Sequence, residues 1–524
     1  DAKSVADTAR SSTPPIDTAP VVPPTPIAQK RIIVIGLGMV GLRFCEQILK
    51  LDTQKQYLLT VFGEEKYHAY NRVGLTKYFT HRKPSELLLA EAEWYHNNNL
   101  DLHLNDPITS INTASKTVTS ASGLTISYDH LVLATGSKAF VPPIQGKEKP
   151  GVFVYRTIED LDSIISYAQQ HARRAIVVGG GLLGLEAAKA CLDLGLQTTV
   201  LERSQWLMRR QLDRVAGEML AATMADMGIT TLNGSDTREI GGEGRVGEVI
   251  VNRSVEGRGR WEETIETDMV VLSCGIVPRD KIASKAGIEC GKRGGIVVDD
   301  FLETSVSGVY AIGECVLHRG QLFGLVAPGY EMATILAKNL TSPSPFPRTH
   351  TFTGSDMSAK LKLFGVQVGS FGDYFAEETQ TRHVSYVDPI GNMYKRFILS
   401  PDGKTLIGGI LFGDTTDFSR LALYSKNKTP LSVSPLDLLA GILTPPKKST
   451  SSDDSDDDGD EFEDSDQICA CNDVSKGVIV AAVKEAGREC TVDEVRKCTK
   501  AGTTCGGCVP LVEDIVGRCK KLEW

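Results

Sequence analysis

The chain has 524 residues, 41% of them apolar, and a formal charge of −9. That length and apolar content fit a globular protein of three or four domains. No apolar run reaches the roughly 18 residues of a membrane span, and no basic stripe with interleaved aromatics supports nucleic acid as a partner.

Residues 1–30 hold six prolines among Ser, Thr and Ala and lack the charged-then-apolar build of a secretory signal. They read as a disordered extension, and an opening on Asp1 without methionine reads as a processed chain or a fragment. Arg31–Ile35 is a short apolar strand running into Gly36-Leu-Gly38-Met-Val-Gly41, after which a helical pattern continues through Leu42, Phe44, Ile48 and Leu49. The same order returns at Ala175–Val178, then Gly179-Gly-Gly181-Leu-Leu-Gly184, then Leu185–Leu194. Two strand–turn–helix units of the GxGxxG type therefore repeat along the chain.

In such a turn the first glycine permits the bend, the second lets a pyrophosphate approach, and the third lets helix pack on strand. The phosphate then meets unpaired N–H groups at the helix start. An acid ending the second strand of each unit reads a ribose: Glu64 in Val61–Glu64, and Glu202 in Thr199–Glu202. A carboxylate at Glu202 favours NADH, while Arg203 beside it offers a partner to a 2′-phosphate and keeps NADPH open. Tyr128–Gly136 is a strand ending in Ala134-Thr135-Gly136, and Asp268–Gly275 echoes it. Gly308–Glu314 is a further strand closing on Gly313 and Glu314. The layout is a first nucleotide domain interrupted by a second and then resumed: 31–150 and 271–345 around 151–270.

From residue 346 the pattern changes to hairpins, with Met393–Ser400 and Thr405–Gly413 flanking Pro401-Asp-Gly-Lys404. Residues 346–446 form a separate α+β domain. Residues 447–466 read as a flexible acidic linker, since Asp453–Asp466 carries ten acids and no base. Residues 467–524 form a small helical unit in which Thr491-Val-Asp-Glu494 caps one helix and Val509-Pro510 opens another. Seven of the twelve cysteines lie there. Cys469-x-Cys471 and Cys505-Gly-Gly-Cys508 are two close thiolate pairs that suit one shared centre, either an iron–sulfur cluster or zinc. Cysteines clustered in this way point to metal ligation in a reducing, cytoplasmic compartment rather than to disulfides. Cys490, Cys498 and Cys519 read as helical packing residues, as do Cys45, Cys191, Cys274, Cys290 and Cys315 elsewhere. With no cysteine between Tyr67 and Lys83, hydride chemistry through a thiol is not expected.

Two fingerprints with the intervening Ala-Thr-Gly turn resemble the two-dinucleotide flavoprotein reductases over about residues 31–340. That resemblance implies FAD at the first site and NAD(P)H at the second. It implies flavin contacts from Gly313 and Glu314, and from Tyr70-Asn-Arg72 and Leu75-Thr-Lys77 through Arg72 and Lys77. It also places Glu186 near the nicotinamide, with Glu186 and Lys77 as the catalytic pair. The added Gly324-Leu-Val-Ala-Pro-Gly-Tyr-Glu331, the hairpin domain and the cysteine unit make the whole order similar to the N-terminal half of the assimilatory NAD(P)H nitrite reductase large subunits. The cysteine unit itself resembles a bacterioferritin-associated-ferredoxin-type [2Fe–2S] domain. Those enzymes continue into a sirohaem and [4Fe–4S] half with CxxxxxC and CxxxC cysteines, a pattern that no cysteines here follow. The implied role is electron input, with hydride from NAD(P)H to FAD and single electrons to the cluster and then to a sirohaem partner. Nitrite reduction by this chain alone is not expected. The linker would let the cluster travel, and homodimerisation through 346–446 is a family expectation.

Two other readings stand beside it. One is a ferredoxin- or rubredoxin-type reductase with a fused cluster. The other is a redox scaffold whose C-terminal unit is a zinc-bound interaction module.

Overall fold

The computed structural model describes residues 29–342, 348–441, 462–469, 472, 474–487, 489–503 and 508–521. Apolar strands of four to six residues, buried on both faces, demand a parallel sheet covered by helices, and two such sheets form. The first runs in the order Val309–Ala311, His130–Leu133, Lys30–Ile35, Tyr57–Phe62 and Asp101–His103, every pair parallel. Its outermost strand comes from beyond the second unit, so the second nucleotide domain is inserted into the first. The second sheet runs Thr230–Asn233, Gln197–Glu202, Arg174–Val178, Met269–Leu272 and Val152–Val154, again parallel. An antiparallel meander of Ser235–Gly241, Glu248–Val255 and Gly259–Glu266 is attached to it. Ser137–Ala139 and Ile276–Pro278 pair antiparallel, joining the chain on either side of the inserted unit. Each follows directly on a small-residue turn, at Gly136 and at Gly275.

The hairpin-rich part is a five-stranded antiparallel sheet, Ala359–Leu363, Val366–Gly372, Leu406–Gly413, Met393–Leu399 and Arg382–Asp388. The helix Phe418–Asn427 packs against it. This sheet shares one apolar core with the second nucleotide unit, since Phe364, Val368, Ile410 and Phe412 cluster with Leu207, Leu212 and Leu220. Buried polar groups fix the register of that contact. Asp213 accepts from the Tyr394 hydroxyl at 2.6 Å and pairs with Arg396 at 2.9 Å.

The C-terminal unit has a core of its own. The helices Lys476–Ala486, Val492–Thr499 and Val509–Lys521 enclose Ile479, Val483, Val495, Val512 and Val516. Thr491 and Glu494 form the expected capping box. Two expectations need correction here. The acidic tract is not linker to its end: Phe462 is buried in this core, and the Lys476 ammonium, itself buried, reaches the Phe462 carbonyl at 2.7 Å and the Asp464 carboxylate at 3.3 Å. A buried cation needs such partners, and that need fixes residues 462–466 as part of the domain. Cys498 is exposed rather than packed, because it falls on the outer face of a short helix, whereas Cys490 and Cys519 are buried. Of the upstream cysteines, Cys45, Cys191 and Cys315 are buried and Cys274 and Cys290 only half-buried. Residues 1–28 and most of the tract, 442–461, lie outside the described residues. No helix among the described residues is long and apolar enough to cross a membrane.

The Phe462→Ala variant is expected to destabilise the C-terminal unit by about 3 kcal/mol. Hydrogen exchange of peptides from 474–521 checks this, with faster exchange there and none in the nucleotide domains.

Candidate functional site

Both glycine turns have the same physical construction. Gly36 and Gly179 sit at φ +113° and +120°, each with its absent Cβ directed at a carbonyl of the neighbouring turn, Ala134 at 2.2 Å and Ser273 at 2.3 Å. A Cβ on Gly41 would stand 2.1 Å from the Gly36 oxygen, and one on Gly184 would stand 1.9 Å from the Gly179 oxygen. The middle glycines differ: around Gly38 and Gly181 nothing of the protein lies within 4 Å of a Cβ. These two positions are open cradles in front of a helix start.

The helix starts themselves are left free. Gly38 and Gly181 cap Met39–Leu51 and Leu182–Asp193 with no side-chain bond and no acid in the first turn. Three other helices are closed off instead, by Thr157, Asp213 and Thr491. Unpaired N–H groups with a positive helix end suit a pyrophosphate, so both turns fit the dinucleotides.

Acids frame the clefts. Glu202 accepts from the Gly180 N–H at 2.7 Å and the Ser204 N–H at 2.6 Å, which locks its carboxylate over the second turn. Arg203 beside it is exposed. Glu64 pairs with Arg279, whose carbonyl accepts from the Thr135 hydroxyl at 2.6 Å and whose N–H donates to the Gly136 carbonyl at 2.9 Å. Glu314 is held by the Ser137 hydroxyl at 2.8 Å and by Arg156. Gly313 packs against Val40 of the first helix, and Gly275 leaves open space at the matching turn. Arg72 pairs with Glu65, donates to the Tyr70 hydroxyl at 2.7 Å and reaches the Arg156 carbonyl at 3.2 Å. Arg156, Arg279, Glu65 and Ser137 escaped the sequence reading, having no spacing rule of their own.

Glu186 is half-buried on the second helix with its Oε2 sealed and without a partner. Burial pushes its pKa up to about 8. Tyr155 is fully buried, its hydroxyl also has no partner, and Glu186 lies within electrostatic reach. Two buried polar groups without partners, close enough to interact electrostatically, are an exception that a polar ligand would explain. Lys77 is exposed at the end of the 3₁₀ turn Arg72–Lys77, which packs against the helix carrying Glu186, with no ion pair between the two. Burial raises the Cys274 thiol beside the second turn to about 11, and Cys45 and Cys191 to about 12. Protonated thiols of this kind are poor nucleophiles.

In the C-terminal unit Cys469 and Cys508 come together, and Cys471 and Cys505 lie outside the described residues. A hydrogen bond from Cys508 lowers the pKa of the Cys469 thiol against the opposing effect of burial. The Gly502 N–H at 3.5 Å and the Asn472 amide at 3.8 Å add to it. A sulfur whose pKa is lowered and that is supplied with N–H donors suits a metal–sulfur centre.

Residues 30–334 match the pyridine nucleotide-disulphide oxidoreductase model, 358–429 the rubredoxin NAD+ reductase C-terminal domain, and 467–518 the BFD-like [2Fe-2S] binding domain. The chain is 40% identical to an NAD(P)H nitrite reductase of Emericella nidulans, over 94% of its own length and 46% of that protein. It is 34% identical to the assimilatory nitrate reductase electron transfer subunit of Bacillus subtilis, over 95% of itself and 60% of that protein. The chain thus spans about half the length of these curated relatives. The fold is similar to a NAD-dependent persulfide reductase from A. fulgidus, with TM-score 0.68, 24% identity and 78% of each chain covered.

The two glycines of the first turn separate fold from binding. Gly41→Ala is expected to cost at least about 2 kcal/mol of stability through its clash with backbone. Gly38→Ala has ordinary φ and free space, so it keeps the melting temperature while FAD affinity falls at least about tenfold. Thermal melts and flavin retention distinguish the two.

Glu186 gives a pH signature. Its folded pKa of about 8 lies above the ordinary value of 4.5, so between those values the folded chain keeps a proton that the unfolded chain has released. Stability therefore falls as pH rises through that window and is flat above it. Glu186→Gln is expected to melt roughly 3 °C above the parent on the alkaline side of the window and level with it on the acidic side.

With residues 30–334 matching its model, the chain belongs to the pyridine nucleotide-disulphide oxidoreductase family, as an NAD(P)H-dependent flavoprotein oxidoreductase with an added BFD-like [2Fe–2S] domain.

Proposed function

We propose that the chain is the electron-input half of an assimilatory nitrite reductase that feeds a sirohaem/[4Fe–4S] module, in the reducing environment of the cytoplasm. The observation that carries this reading is 40% identity to an NAD(P)H nitrite reductase running through all three matched domains. The name of the Bacillus subtilis relative, an electron transfer subunit, supports the same division of labour.

Bound FAD supplies hydride acceptance from NAD(P)H and release of electrons one at a time to the cluster. The chain's residues bind and orient. Gly36, Gly38 and Gly41 present one helix start to the FAD pyrophosphate, and Gly179, Gly181 and Gly184 present the other to NAD(P)H. Glu202 is set to accept from a ribose 2′-hydroxyl and to repel a 2′-phosphate, which favours NADH, with Arg203 as the counterweight. Glu186, uncharged near neutral pH, holds its proton at a carboxyl oxygen facing the nicotinamide side without placing a negative charge beside a hydride in transit. Lys77 and Arg72 line the flavin side of the same wall. Cys469, Cys471, Cys505 and Cys508 hold the cluster. The match to the BFD-like [2Fe-2S] binding domain favours iron–sulfur over the zinc-module reading.

A second reading, a ferredoxin- or rubredoxin-type reductase with a fused cluster, draws on the match of 358–429 to the rubredoxin NAD+ reductase C-terminal domain. The acceptor decides between them. With NADH under anaerobic conditions, adding a separate sirohaem/[4Fe–4S] module is expected to start nitrite consumption that needs both components. Rapid reduction of rubredoxin or ferredoxin with no nitrite loss would favour the second reading.

A further inference from the structure

The C-terminal unit is seated at two places, on the first helix of the first nucleotide domain and on the helix of the hairpin domain. On the Met39–Leu51 helix, the Arg43 guanidinium donates to the Asn472 carbonyl at 3.1 Å and Glu46 pairs with Lys500 at 3.1 Å. On the Phe418–Asn427 helix, Arg420 faces Asp514 at 3.8 Å, Lys426 reaches Gln467 at 3.3 Å and Asn427 reaches Asp466 at 3.2 Å. Leu423 of that helix is buried in the C-terminal unit's own core. An acidic flank therefore meets a basic helix while a lysine meets an acid on the other. Turning the unit round would set Lys500 against Arg420 and Lys426, which favours the orientation seen.

That orientation brings the cysteine loop to the FAD-side helix. Asn472 follows Cys471 directly, its side-chain amide lies 3.8 Å from the Cys469 sulfur, and its carbonyl is the group that Arg43 holds. Arg43 also lies over the Tyr330 ring, 5.7 Å from its centre. Next to Tyr330, a Cβ on Gly329 would meet Val40 at 2.5 Å and the Gly313 Cα at 3.3 Å. From Gly38 to Arg43 the helix rises only about 7.5 Å. One residue thus links a cluster thiolate to the helix whose start cradles the first dinucleotide, beside the turn of Gly313.

We propose that this seated arrangement is the pose in which the C-terminal unit receives electrons, with Arg43, Glu46 and Lys500 as positioning residues. The proposal rests on the reading that the chain carries FAD and a [2Fe–2S] cluster. In the pose one electron passes from the two-electron-reduced flavin to the oxidised cluster, and the second follows once the cluster has given the first to a one-electron acceptor. FADH⁻ ends as FAD with one proton released to solvent. Apart from buried Leu423, the contacts above are two ion pairs and three hydrogen bonds, partly open to solvent, and each exposed ion pair is worth only about 0.2–1 kcal/mol.

The test uses the full chain loaded with FAD and cluster, with Glu46→Lys, Lys500→Glu and the double exchange. Carbodiimide treatment and peptide mass spectrometry are expected to give a Glu46–Lys500 cross-link in the parent. The cross-link is lost in each single variant and returns, with the residues exchanged, in the double. In rapid mixing with NADH, flavin reduction keeps its rate in all forms, cluster reduction slows roughly tenfold in the single variants, and the double exchange recovers it. No cross-link in the parent, or single variants that reduce the cluster at the parental rate, would overturn the proposal. A chain showing no flavin or no cluster bands would overturn the proposed function, and the proposal with it. Normal bands with unaffected transfer would overturn the proposal alone.

Discussion

The contact on which the structure depends is the approach of a helix to the strand turn beneath it, permitted by glycine at two equivalent places. The Gly41 position lies so near the Gly36 carbonyl, and Gly184 so near the Gly179 carbonyl, that any side chain would force the helix away from its sheet. With the helix seated there, its first N–H groups lie at the carboxyl end of the central strand, where an anion can reach them. The open space at Gly38 and Gly181 exists because the flanking glycines let everything else close up. Both nucleotide clefts follow from this contact.

Electrostatics then divides the molecule into closed and open places. Three packing helices are capped by Thr157, Asp213 and Thr491, while the two that face the clefts carry no side-chain cap. Opposed charges are held close where rigidity matters, as in Asp213 with Arg396 and Glu314 with Arg156. Where the C-terminal unit meets the rest, the pairs are fewer and more exposed. Such pairs are worth about 0.2–1 kcal/mol each. The hairpin sheet shares an apolar core with the second nucleotide unit, whereas the cysteine unit joins the rest through Leu423 and these pairs.

The parts of this design written in the sequence are those whose chemistry is local. The glycine turns, the strand-ending acids, the Thr491 box and the turn at 401–404 each carry their own spacing, and the structure forms them at those positions. The inserted order of the two nucleotide domains was legible because a further strand, Gly308–Glu314, follows the second fingerprint unit. What could not be read depends on residues far apart. Arg279 meets Glu64 across 215 positions and Arg156 meets Glu314 across 158, and no periodicity marks either arginine. Tyr155 looks like any core aromatic until its hydroxyl is found without a partner beside Glu186. The acidic tract misled at its end because composition alone describes a tether, while Phe462 and a buried Lys476 convert its last residues into folded structure.

The central claim is that one chain holds a nucleotide-fed flavin and a cluster in electronic contact. The most direct measurement is an anaerobic titration of the purified chain with NADH, followed by visible absorption and by electron paramagnetic resonance. The account predicts loss of the flavin bands and of the broad iron–sulfur absorption together, with the resonance of a reduced [2Fe–2S] cluster appearing as they fade. Flavin that bleaches while the cluster stays oxidised, or a C-terminal unit that contains zinc, would contradict it.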